Sequence, residues 1–159
     1  MTAGHPSDAV PSTPDRSLNT VDALVQLSFL VQGVLTRVAA AHELSVVQVR
    51  LLGILRDRRP GMLELARHLG LDKSSMTGLV SRAEKRGLVS RVPSPHDGRG
   101  VLVSLTPAGR ELTEEGGAEI ERAIGELAEA LTEGERAQLR ALAAKLLAGG
   151  AGGASASGG

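Results

Sequence analysis

At Gly87 the hydrophobic repeat of the chain changes period, and this limits the folds open to it more than any other feature. Upstream, in "LDKSSMTGLVSRAEKRG", Met76, Leu79, Val80 and Ala83 recur at i, i+3, i+4 and i+7, one buried face of a helix. Downstream, "LVSRV" (88–92) and "VLVSL" (101–105) alternate with a period of two and are rich in β-branched residues, as strands are. The turn-forming "PSPHDGRG" joins them, which predicts a hairpin with a long, basic tip. Ahead of the helix, Leu65, Ala66 and Leu69 mark a shorter one that stops at Gly70, and Asp72 is placed to cap the next. Gly87 is placed to end that second helix in the left-handed conformation. Helix, turn, helix, hairpin is the winged helix-turn-helix order. Ala66, Gly70, Met76 and Leu79 supply the small residue, the turn glycine and the two core residues that the motif needs.

The rest of the chain reads as helical. From Ser17 to about Ala41, Leu24, Leu27, Val31, Val34 and Val38 step by threes and fours, a seam for packing along another helix. Phe29, Leu30 and Leu35 lie off that seam, so more than one side is expected to be covered. Either the centre of a monomeric bundle or a dimer interface fits. Ser45 is a good N-cap for a second helix that ends at "RDRRPG". Thr106 and Pro107 open a long helix running to about Ala130, and Thr132 with Glu135 forms a capping box for a last one. The expected class is mostly α with a small β-hairpin wing. A winged lobe at about 46–106 sits between flanking helices at about 17–44 and 107–148. Residues 1–16 and 149–159 read as a disordered tail and a flexible Gly/Ala/Ser tail.

Composition narrows the chemistry. There is one aromatic residue, Phe29, which disfavours base-stacking platforms and aromatic cages. There is no cysteine, which excludes disulfides and thiol chemistry. No signal-peptide pattern and no uninterrupted run of about 18 apolar residues occurs, so a cytoplasmic protein without membrane association is expected. Net charge is zero, but it is unevenly spread. Lys73 to Arg99 holds six Lys or Arg against Glu84 and Asp97, and Glu111 to Glu135 holds nine Glu against Arg122.

The second helix of the motif keeps short side chains on the face away from the core. The major groove admits one α-helix, and base edges are reached from its N-terminal turns. Ser74, Ser75, Thr77 and Gly78 let the backbone come close, while Ser81 and Arg82, one turn further, lie within reach of bases or phosphates. The alternative for the hydroxyls is that they satisfy local backbone groups. In the hairpin tip, Arg99 is placed to enter a minor groove, with Asp97 as wing support holding its guanidinium.

"GLDKSSMTGLVSRAEKRGLVSRVPSPHDGRGVLVSLTPAGREL" resembles the MarR family of bacterial transcriptional regulators. The matching features are Arg86-Gly87-Leu88-Val89, Asp97 with Arg99, and Leu105 to Arg110, with "LSVVQVRLLGIL" upstream similar to that family's second helix. The resemblance covers about residues 20–147. It implies a homodimer formed through the first and last helices, bound to a pseudo-palindromic double-stranded DNA operator. It also implies repression relieved by a small aromatic or anionic effector. By position it assigns DNA binding to Lys73, Ser74, Ser75, Thr77, Gly78, Ser81, Arg82 and Arg99, and an effector cavity to His42 and Gln48. The chain departs from the family at Gly61, where a Ser or Thr cap is usual, and at Gly78, where Arg is frequent.

No catalytic constellation is evident, and no cofactor is expected. His5, His42, His68 and His96 lie in four separate segments without a partner at ligand spacing, so no zinc site is expected. A winged helix that docks a protein without specific DNA binding is the main competitor to the regulator.

Overall fold

The computed structural model describes residues 17–153. The two tails read from composition, 1–16 and the end of 149–159, fall outside that range in whole or in part. Element order is α1 (Thr20–Ala41), α2 (Val46–Leu55), α3 (Met62–Leu69), α4 (Lys73–Lys85), β1 (Val89–Pro93), β2 (Val101–Leu105), α5 (Pro107–Ala128) and α6 (Glu133–Gly153). This is the mostly helical winged fold that the change of period predicts.

The core belongs to the winged lobe. Leu51, Leu52 and Leu55 of α2, Leu65 and Leu69 of α3, and Met76, Leu79, Val80 and Ala83 of α4 close over Leu88, Val89, Val103 and Leu105 of the hairpin. Burying each large apolar side chain contributes about 1.5–3 kcal/mol, so this cluster dominates the lobe's stability. The strands pair antiparallel with Val89 opposite Leu105 and Pro93 opposite Val101. Gly61 adds a bridge to Leu102, and the Val103 amide donates to the Pro60 carbonyl at 2.9 Å, which ties the entry of α3 to the wing.

Capping residues set most boundaries. Ser45 and Gln48 form a full capping box on α2. The side chains of Asp72 and Thr106 each accept an amide at the start of α4 and α5. Gly61 offers α3 no side-chain cap, as its lack of a hydroxyl requires. Gly70 (φ +65) and Gly87 (φ +72) both take the left-handed conformation, which a glycine adopts without steric cost. Gly109 is required for another reason. A Cβ there would overlap the Leu88 carbonyl, because the first turn of α5 lies directly on the end of the hairpin. Thr106 Oγ1 donates to the Gly87 carbonyl at 2.6 Å and accepts from the Gly109 amide at 3.0 Å, closing the same junction.

One expectation needs correction. Helix α6 continues to Gly153, past the 148 boundary drawn at the first glycines. Glycine lowers helix propensity by about 1 kcal/mol per residue but leaves the backbone hydrogen bonds intact, so an established helix runs on through it. Within its own chain helix α1 buries Val34, Val38 and Ala39, where it crosses α5. Val21 (68%) and Phe29 (70%) are exposed, as are Leu142 (59%) and Leu147 (74%) on α6, which has no fully buried side chain among its described residues. By length and composition α1 is also apolar enough to cross a bilayer, because Asp22 and Arg37 are its only charges.

Between α1 and α2 the chain turns sharply. Glu43 is the one described non-glycine residue with positive φ (+55), held by Leu44 N donating to Ala39 O at 2.8 Å. A side chain in that region costs about 1–2 kcal/mol.

Candidate nucleic-acid interface

Helix α4 is held at both ends and along one side. Asp72 Oδ1 accepts the Ser75 amide at 2.7 Å and Oδ2 accepts the Ser75 hydroxyl at 3.1 Å. These bonds, the Ser75 amide first, hold the Asp72 carboxyl below its ordinary value of 3.8. Met76, Leu79, Val80 and Ala83 fix the buried face, so Lys73, Ser74, Ser75, Thr77 and Arg82 are turned outward and Gly78 and Ser81 are half-buried.

Several hydroxyls already have partners in the isolated chain. Thr77 Oγ1 donates to the Lys73 carbonyl at 2.9 Å, and Ser81 Oγ accepts from Arg91 Nη2 at 3.1 Å. Local satisfaction therefore accounts for the protons of Ser75 and Thr77, while the lone pairs of both oxygens stay free to accept. Gly78 has a specific neighbour. A Cβ there would stand 3.1 Å from Arg82 Nη1, so the bare glycine is the bed on which that guanidinium lies. The cation frequent at this place in the resembled family is thus brought back over it from one turn further along.

The wing differs in detail from its expected form. Asp97 Oδ1 accepts the backbone amide of Arg99 at 3.1 Å, and the Gly100 amide donates to the Asp97 carbonyl at 3.0 Å. Asp97 does not grip the Arg99 guanidinium. It shapes the tip as an Asx turn, a local bond that a residue two places ahead makes readily. Arg99 remains exposed at the tip. The residue that sequence reasoning missed is Arg91, which bridges β1 to α4 through Glu84 at 3.1 Å and through Ser81. Only the strand register, which turns residue 91 toward α4, brings these three together.

A cavity of about 570 Å³ opens between α1, α2 and α5, lined among others by Val38, His42, Leu52, Arg56, Leu112 and Gly116. His42 is largely buried at its rim and Nε2 lies 3.0 Å from Glu119 Oε1 on α5. Gln48, the other residue assigned to a cavity, does not line it. Its side-chain oxygen accepts the Ser45 amide at 2.8 Å and completes the capping box of α2. A second, apolar groove of about 670 Å³ runs between α3 and α4 past Leu63 and Met76.

A model described as "MarR family" matches residues 42–100, from the rim of the cavity through the wing. A probable transcriptional regulator from Pseudomonas aeruginosa, known as a crystal structure, is 30% identical over 80% of this chain and 96% of its own, with a TM-score of 0.66. The chain belongs to the MarR family. Among curated relatives, the transcriptional activatory protein BadR of Rhodopseudomonas palustris is 39% identical over 85 residues. That match takes in 50% of this chain, which spans about half (47%) of BadR's length. The crystal structure of NadR in complex with 4-hydroxyphenylacetate is 25% identical over 86% of this chain and 97% of its own, with a TM-score of 0.69.

Proposed function

We propose that this MarR-family chain is a sequence-specific double-stranded DNA-binding transcriptional regulator, acting as a homodimer and most simply as a ligand-responsive repressor in the cytoplasm. The observation that carries the proposal is the outer face of α4. From Ser74 to Ser81 it presents no side chain longer than Thr, on a helix whose orientation is fixed by a buried stripe and two capped ends. Such a face loses helix propensity relative to Glu, Lys or Gln, and close approach of a duplex is the function that uses the space. Lys73, Arg82 and wing Arg99 supply cations around it, for phosphates and for the concentrated negative potential of a minor groove.

The homodimer is supported by the apolar surface left open on α1 and α6. Val21, Leu24, Phe29, Leu142 and Leu147 lie on the first and last helices, outside the lobe that bears α4. Covering this surface with a second copy also accounts for the apolar length of α1 without a bilayer. The effector is proposed for the cavity at His42, whose mostly apolar walls suit a small aromatic molecule, with Arg56, paired to Asp57 at 2.9 Å, at its edge. NadR's complex with 4-hydroxyphenylacetate supports that ligand class.

Selection of bound fragments from the source genome, followed by gel-shift titration, tests the central proposal. We expect one enriched, two-fold symmetric site. Arg99→Ala should weaken binding to all duplexes alike, and Thr77→Ala should change preference among them, by about 1–3 kcal/mol at one base position. If both variants bound the selected site like the parent, α4 and the wing would not be the reading surface. One observation favours a protein-docking winged helix instead: the apolar groove beside α4, on whose edge Leu63 is 68% exposed. Absence of enrichment over random fragments would favour that function.

A further inference from the structure

Arg86 stands at the C-terminus of the recognition helix and its side chain leaves the helix altogether. Nη1 donates to the Glu43 carbonyl at 2.7 Å and Nη2 to the His42 carbonyl at 3.1 Å. Both acceptors lie just past the end of α1, where unpaired carbonyls carry the negative end of the helix dipole. One planar guanidinium thus clamps two successive carbonyls of the α1–α2 corner, a geometry that Lys cannot reproduce with its single ammonium.

The clamped corner is also the rim of the cavity. His42, whose carbonyl Arg86 holds, turns its ring the other way, onto Glu119 of α5, and lines the cavity beside Gly116. Glu43, the other clamped residue, is the one in the left-handed conformation. A shift of the His42 ring therefore has a short path to α4: from ring to backbone, through a strained residue, to two strong hydrogen bonds ending on the recognition helix. The opposite end of α4 has no such tie, because Asp72 bonds only within its own turn.

We infer that Arg86 is the positioning residue that couples the His42 cavity to the orientation of α4, so that its removal separates cavity from helix while leaving each intact. The inference rests on the cavity being the regulatory site, and its test requires neither DNA nor a known effector. Met76 is 1% exposed on the inner face of α4 and serves as the reporter through its ε-methyl resonance in the full-length, methyl-labelled protein. The cavity is perturbed by Glu119→Gln, which keeps the shape and removes the charge facing His42. In the parent, Glu119→Gln should shift the Met76 methyl and change amide exchange over Val80–Lys85. With Arg86→Ala, the same perturbation should fall to less than a third, and Arg86→Lys should restore part of it.

A merely structural Arg86 would raise exchange in α4 by the same factor with or without Glu119→Gln and leave the methyl response unchanged. Equal responses in the two backgrounds, or no response in the parent, would overturn the coupling. Should Arg86→Ala not stay folded, the comparison of Arg86→Lys with the parent decides: an undiminished response in Lys overturns the coupling, and a reduced one supports it. Loss of operator binding with the coupling intact would refute the DNA reading alone.

Discussion

Single residues carry more of this fold than their size suggests. At Gly109 the backbone of α5 touches the backbone of the hairpin, so the added methyl of Gly109→Ala meets a carbonyl that cannot rotate away. We expect a loss of about 1–3 kcal/mol in urea unfolding. Gly98→Ala, at a position with open space around it, should be nearly neutral; equal losses would show that the junction is not tight. Asp72 allows a pH prediction. Its carboxyl is held below 3.8 in the folded chain, so the stabilisation from capping α4 is present above that value and is lost as pH falls through the lower folded value. The side-chain carboxyl resonance of Asp72 should titrate with a midpoint under 3.8, and Ser75→Pro, which removes the donated amide, should bring it back up. A parent midpoint at or above the ordinary value would contradict the cap.

At the scale of elements, the helices divide into two kinds. Those of the winged lobe bury a stripe against one another and the hairpin, and their boundaries follow from caps and left-handed glycines. Among its described residues helix α6 fully buries none within its own chain and yet presents four leucines, Leu139, Leu142, Leu146 and Leu147, at helical spacing. A 21-residue helix with such a face is marginal in water by itself and takes its stability from packing. Replacing Leu142 and Leu146 by Glu should therefore convert a dimer to a monomer in sedimentation while the lobe keeps its urea midpoint. A monomeric parent, or a double variant that remains dimeric, would move the interface elsewhere.

For the molecule as a whole, charge is segregated and not scarce. The basic stretch from Lys73 to Arg99 lies on α4 and the wing, whereas the acidic stretch lies on α5 and the start of α6. A duplex held by the first and repelled by the second should bind with a steep salt dependence. With about three phosphate contacts in each lobe of a dimer, affinity should drop by about a thousandfold between 50 and 200 mM salt. A flat response in the gel shift would mean that phosphates contribute little.

The division between what was legible and what was not follows the range of the forces. Periodicity, caps and turn glycines act within a few residues, so the helices, the hairpin, the cap at Asp72 and the exposed hydroxyl face of α4 were determined by the sequence alone. Contacts between residues far apart in the chain were not. Arg91 on Ser81 and Glu84, Arg86 on the carbonyls of His42 and Glu43, Arg82 lying over Gly78, and Gln48 capping a helix instead of facing a cavity all depend on where long side chains come to rest. A flexible arginine has many rotamers of similar local energy, and only the packed surroundings choose among them. Apolar pattern likewise marks α1 and α6 as helices that must be covered, while the tertiary structure decided that their own chain covers little of them.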